Sequence, residues 1–132
     1  MALNIPLRVK NLVQRCGTSN PYQIAREMNC DVEFLPLPHH INGLWRRVLR
    51  RKFIVINESL EEWQKEAVLC HEIAHILCHS HYRAFSMHGQ SYSCARYERE
   101  ADEFAAHLMA YRHDNNEIYV KQFLSESWHN WR

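Results

Sequence analysis

One stretch constrains this chain more than any other: Val68-Leu69-Cys70-His71-Glu72-Ile73-Ala74-His75-Ile76-Leu77-Cys78-His79. Its apolar residues, Val68, Leu69, Ile73, Ile76 and Leu77, lie nearly all round a helix, which is the pattern of a buried one. The polar exceptions, His71, Glu72, His75 and His79, fall within an arc of about 100°. Residues four apart stack one turn above the other, so His71 and His75 can aim their rings at one point. A carboxylate carried into such a helix is costly unless something compensates it, and a cation is the simplest compensation. The string His71-Glu72-Ile73-Ala74-His75 therefore reads as two ligands for zinc, with Glu72 placed to act on a water at the metal. The bland alternative is a solvated stripe on a half-buried helix. With 10 histidines in 132 residues, the short motif arises too readily by chance to stand without context.

The surrounding chain supplies that context. Ser59-Leu60-Glu61-Glu62 has the form of a capping box, which predicts that the motif helix starts near Leu60 and ends between His79 and Tyr82, with Trp63 and Ala67 facing inward. Before it, Val32-Glu33-Phe34-Leu35-Pro36-Leu37 alternates like a strand. Two further strand-like runs follow, Leu44–Leu49 and Phe53–Asn57, separated from the first by Pro36, Pro38 and Asn42-Gly43. Two short helices precede the strands. Ile5, Val9, Leu12, Val13 and Cys16 recur at helical spacing with Gly17 as a stop, and Asn20-Pro21-Tyr22-Gln23 offers a cap, a first-turn proline and a Gln for a helix to about Met28. After a polar segment from Arg83 to Ser93, read as a loop beside the site, periodicity returns at Tyr97, Ala101, Phe104, Ala105 and Leu108 and breaks at His113. Val120, Phe123, Leu124, Trp128 and Trp131 mark a terminal helix. The expected architecture is α+β, a single domain over 1–132. It is a small, about three-stranded antiparallel sheet packed on the motif helix and on a second, Glu-bearing helix, with helices at both ends.

Charge and cysteine content narrow the function. A formal net charge of +1 gives no global case for nucleic acid or an anionic membrane. No window approaches the roughly 18 apolar residues of a membrane helix, and residues 1–10 lack the apolar core of a signal peptide. The expectation is a cytoplasmic protein, whose 5 cysteines, without C-x-x-C spacing, are free thiols. Two local features invite a DNA-binding reading: the helix at 21–28, and the cations Arg46, Arg47, Arg50, Arg51 and Lys52. No recognition helix follows the first, and the second fits the solvated face and turn of a hairpin.

A catalytic zinc usually takes three protein ligands and keeps one position for water. Glu98 and Asp102 lie four apart in Glu98-Arg99-Glu100-Ala101-Asp102-Glu103-Phe104-Ala105 and project from one helical face. Glu98 can close the site while Asp102 accepts a hydrogen bond from the outer nitrogen of a zinc-bound histidine. The small Ala101 and Ala105 allow the two helices to approach closely. His81 competes as third ligand by its spacing from His71 and His75. That arrangement needs a glycine midway for a sharp left-handed turn, and this chain has Cys78 there, so Glu98 is preferred.

With these residues in view, the chain resembles the ImmA/IrrE-type metallopeptidases of bacteria, phages and mobile elements, over roughly residues 18 to 110. The resemblance covers the small helix, the strands ending in Phe53-Ile54-Val55-Ile56-Asn57, the motif helix, and the later stretch from Glu98 to Met109. It implies a minimal zincin-like fold, one zinc ion per chain on His71, His75 and Glu98, and Glu72 as catalytic base. Two positions differ from the family's usual pattern: Ala74 stands where a Gly often precedes the second histidine, and Ala110 where a Pro often follows Leu-Met. The resemblance also implies an endopeptidase that cuts a helix-turn-helix repressor, and so relieves repression of a phage, a mobile element or a stress response. The expected partner is a separate repressor protein, with no direct nucleic-acid contact and no membrane. Tyr92, Tyr97, His79 and His81 are candidates to contact the oxyanion or substrate. The rival reading is a zincin-like module that holds metal and sequesters a partner without cutting it, in which His79 or Cys94 completes a fourth ligand position.

Overall fold

The computed structural model describes residues 3–79 and 95–112. In chain order these form α1 (Ile5–Cys16), α2 (Pro21–Glu27), β1 (Cys30–Leu35), β2 (Gly43–Val48), β3 (Arg51–Asn57), α3 (Glu62–His79) and α4 (Ala95–Arg112). The architecture is α+β, as the alternation of periods predicts. The expected terminal helix beyond His113 lies outside the described residues.

The two leading helices start and stop on local chemistry. The Asn4 side chain accepts from the Leu7 N–H at the start of α1, and Gly17 ends it at φ 71°, its N–H reaching the Val13 carbonyl at 2.8 Å. Nothing lies within 4 Å of where a Gly17 Cβ would sit, so the backbone angle, not crowding, is what asks for glycine. Ile5, Val9 and Leu12 form the buried stripe. Asn20 caps α2 by accepting from the Tyr22 N–H at 2.9 Å, with Pro21 in the first turn. The backbone N–H of Asn20 donates to Thr18 Oγ1 rather than to Gln23, so the cap is closed from the N-terminal side.

The sheet corrects one expectation. Its order is β1-β3-β2, with β2 antiparallel and β1 parallel to β3, so it is mixed rather than wholly antiparallel. β2 and β3 are joined by the two-residue turn Leu49-Arg50, which forces an antiparallel pair. β1 pairs with the returning strand β3, not with its sequence neighbour β2, and therefore runs the same way as β3. Strand alternation specifies faces but not partners, so the choice was open until the chain was folded. Asn57, at the end of β3, ties the connection in place. Its Nδ2 donates to the carbonyls of Leu37, Pro38 and Ile41, and its Oδ1 accepts from the N–H and hydroxyl of Ser59.

That use of Ser59 explains a second difference. Ser59 is spent on Asn57, so it does not cap α3, which begins two residues later than the sequence motif suggests. Gln64 instead reaches back to the Glu61 N–H at 3.1 Å, half of a capping box in a shifted register. Ala67 is buried as expected, whereas Trp63 is half-buried and donates its indole N–H to Glu61.

The core is built round α3, which packs against the sheet, α2 and α4, while α1 packs against α4. Trp45, Ile54 and Ile56 of the sheet, Val68, Leu69 and Ile73 of α3, and Phe104, Ala105, Leu108 and Met109 of α4 share one buried cluster with Ile5, Val9 and Leu12 of α1 and Ile24 of α2. One contact sets how close the motif helix sits. A Cβ on Gly43 would stand 2.7 Å from Val68 Cγ1 and 2.9 Å from the Val55 carbonyl oxygen. Glycine there lets β2 and α3 approach one turn before His71. The basic hairpin faces away: Arg46, Arg47 and Arg50 are exposed, Arg51 forks onto Asp31 at 2.6 Å, and Lys52 donates to the Met28 carbonyl. Cys16, Cys30, Cys70 and Cys78 form no disulfide; Cys94 lies outside the described residues. Among the described residues no helix is long and apolar enough to cross a membrane.

Candidate metal centre

The seam between α3 and α4 carries imidazoles on one side and carboxylates on the other. The two helices run antiparallel, since His71 meets Asp102, His75 meets Glu98, and His79 meets both Tyr97 and Glu100. Ala101 and Ala105 are completely buried in α4, and their small side chains suit that close approach. His71, Glu72, His75 and His79 are all buried in the second half of α3, where the intervening residues are apolar. Burying four such groups is expensive unless they satisfy one another or a ligand.

Three donors converge. His71 Nε2 and His75 Nε2 are 3.0 Å apart, and the Glu98 carboxylate approaches them at 3.1 and 3.2 Å. One ligand atom from each lies within 4.8 Å of the others. Four-coordinate zinc with bonds of about 2.0–2.1 Å has neighbouring ligand atoms about 3.3 Å apart, so this triangle fits a small tetrahedral cation. The outer nitrogens point the same way. His71 Nδ1 lies 2.9 Å from Asp102 Oδ1, which directs the proton of that ring outward and the Nε2 lone pair inward. At 3.0 Å the two inward nitrogens cannot both present lone pairs to each other, so a proton or a metal cation must sit among them and Glu98. The residues present therefore fit the zinc that the sequence motif implies.

The electrostatics carry the same signature. Burial alone would depress the His71 imidazole, but the flanking Asp102 and Glu98 carboxylates overcome it and raise it to about 10. Glu98 is pulled the other way: burial would raise it, yet His71 and His75 hold it far below the ordinary carboxylate range. Glu72 is raised by burial, opposed only in part by His71 and His75. No hydrogen bond engages its carboxylate among the described residues, whereas Glu98, Glu100 and Asp102 all have imidazole partners. A buried carboxylate with raised proton affinity and no competing partner is suited to taking and returning a proton.

His79 is not in the triangle. Its Nδ1 lies 3.1 Å from His75 Nδ1, on the side of that ring away from the cluster, and its Nε2 lies 2.8 Å from Glu100 Oε1. The Tyr97 ring stacks on it with centroids 4.1 Å apart and planes 18° from parallel. Burial depresses the His79 imidazole to about 4 despite Glu100, so the ring is neutral near pH 7. Glu100, where burial acts to raise it, is held below its ordinary value by His79 and Arg96. Glu100 is the residue that spacing misses. It is two positions from Glu98, about 200° round the helix, which assigns it to the opposite face. Its long side chain nevertheless reaches across to His79. The usable signal was His79 itself, one turn beyond His75 on the polar arc. Tyr92 and His81 lie outside the described residues.

A small α+β domain with a buried H-E-x-x-H helix and a glutamate delivered by a second helix is a zincin-like domain. Residues 25–122 match the model of the Peptidase_M78 family, described as the IrrE N-terminal-like domain. The chain belongs to that family, whose name is that of a peptidase. It is also 34% identical over 106 residues to the "Uncharacterized immunity region protein 2" of Bacillus phage phi105; the match covers 80% of this chain and 67% of that protein. No solved structure matches the chain.

Proposed function

We propose that the chain is a zinc-dependent endopeptidase in which His71, His75 and Glu98 hold the metal and Glu72 is the general base. The observation that carries this reading is the convergence of the two imidazole nitrogens and the Glu98 carboxylate beside the unengaged, buried Glu72. A zinc ion bound there would acidify a water and polarise a peptide carbonyl. Glu72 takes the water's proton as the nucleophile adds to the carbonyl carbon, and returns it to the amine as the C–N bond breaks. Its raised proton affinity suits both halves of that transfer. Asp102 holds the His71 ring with its proton outward, so that the inward nitrogen stays available.

The proposed substrate is a repressor of the helix-turn-helix type, the class the family resemblance implies, and a relative named for a phage immunity region is in keeping with it. The non-catalytic, sequestering alternative draws no support from His79. Both nitrogens of that ring are engaged away from the metal triangle, so it is not turned to complete a four-ligand structural site. The test is to incubate zinc-loaded protein, and its Glu72→Gln form, with the repressor encoded beside it and to read products by mass spectrometry. Cleavage by the unaltered protein alone is expected. Equal cleavage by both forms would remove Glu72 as base, and tight binding without any cut would favour sequestration.

A further inference from the structure

His75 has a nitrogen on each side of its ring, and only one can face the metal triangle. That one is Nε2, at 3.0 Å from His71 Nε2 and 3.2 Å from Glu98. An imidazole that presents a lone pair at Nε2 must carry its proton on Nδ1. The usual outer partner of a ligating histidine is a carboxylate or a backbone carbonyl. His75 Nδ1 meets another imidazole, His79 Nδ1, at 3.1 Å. For the contact to be a hydrogen bond, one of the two nitrogens must carry a proton and the other must not. On the far side of the His79 ring, Nε2 lies 2.8 Å from Glu100, which as a carboxylate can only accept. That bond puts the His79 proton on Nε2 and leaves its Nδ1 as an acceptor, which is the form His75 requires.

We propose that His79 and Glu100 are positioning residues that set the tautomer and orientation of His75 through the relay Glu100–His79–His75. The proposal rests on the reading of His71, His75 and Glu98 as metal ligands. Each part of the surroundings keeps the relay aligned. Tyr97 stacks flat on His79 and fixes its plane, while Arg96 Nε, 3.3 Å from Glu100 Oε2, steadies the terminal carboxylate as an anion. The two ligating histidines are thus oriented by different means. His71 uses a carboxylate directly, through Asp102; His75 uses a carboxylate one imidazole removed. The same helix α4 supplies both carboxylates, two and four residues after Glu98.

The experiment uses the full chain and zinc alone as the probe. Zinc affinity is measured by competition with a chromophoric chelator, and the His75 tautomer is read from its side-chain ¹⁵N shifts in metal-free and zinc-loaded protein. His79→Ala and Glu100→Ala should each weaken zinc binding by about 10–100-fold, the range for losing an outer partner of a metal-bound histidine. Each should also convert His75 from a single Nδ1–H form to a mixture in the metal-free protein. Glu100→Gln retains both an acceptor oxygen and the side chain's volume and should lose less than Glu100→Ala, so the His75 tautomer is the readout that separates the relay from a packing role. Should His79→Ala fail to fold, the Glu100 pair decides, because that side chain lies at the edge of the seam. Zinc affinity unchanged in the folded variants, or reduced with the His75 tautomer intact, would overturn the relay. If the unaltered protein binds no zinc, the metal reading itself fails, and that result is distinguishable from failure of the relay.

Discussion

The α3–α4 seam and the β2–β3 hairpin are both dense in ionisable residues, yet they treat charge in opposite ways. On the hairpin, Arg46, Arg47 and Arg50 stand in solvent, and the Arg51–Asp31 fork has side chains 59% and 40% exposed. Water screens such groups, and exposed pairs of this kind contribute little to stability. In the seam, His71, Glu72, His75, His79 and Asp102 are all 5% exposed or less. Among the described residues, four of these five buried groups are matched across or along the helices by an imidazole or carboxylate, and Glu72 is the exception. The difference teaches that density of charge carries little information about function. What informs is charge retained where solvation has been given up, because every such group demands a partner and the one without a partner is left for chemistry.

This contrast can be broken at several points. The largest expected effect is on Glu72. Glu72→Gln should lower peptide hydrolysis by about 10²–10⁴-fold while zinc content, measured by elemental analysis, stays at the level of the unaltered protein. Loss of zinc together with activity would instead make Glu72 part of the metal shell. Next, Glu98→Ala should weaken zinc binding by more than the roughly 10–100-fold cost of losing an outer hydrogen-bond partner; an unaffected dissociation constant would return His81 to contention as the third ligand. Gly43→Ala tests how the sheet seats the motif helix. Overpacking against Val68 and the Val55 carbonyl should cost about 1–3 kcal/mol in denaturant unfolding. A neutral result would show that β2 and α3 are not held as closely as the structure indicates. The smallest effect belongs to the hairpin, where replacing Arg46 and Arg47 together by Ser should change stability by no more than about 0.5 kcal/mol. A collapse of substrate cleavage in that variant would give the exposed cations a part in substrate binding.

Much of the seam was legible before folding because helices convert spacing into direction. His71 with His75, and Glu98 with Asp102, are each four apart, and the fold brings these two pairs face to face. Glu100 was not legible, since two residues of spacing point it away and only the reach of its side chain brings it back to His79. The shifted start of α3 was hidden for a related reason. Ser59 fits a capping box by spacing, but Asn57 claims it.

By itself, then, the chain determined which of the described segments are helices and strands, where α1 stops and α2 begins, and which residue types could gather at a metal. These follow from periodicity, caps and short spacings, which are local. Tertiary structure decided that β1 runs parallel to β3, that Gly43 admits Val68, and that Glu100 of α4 reaches His79. Those facts depend on which segments meet across the fold. No local rule of backbone geometry or side-chain periodicity contains that information.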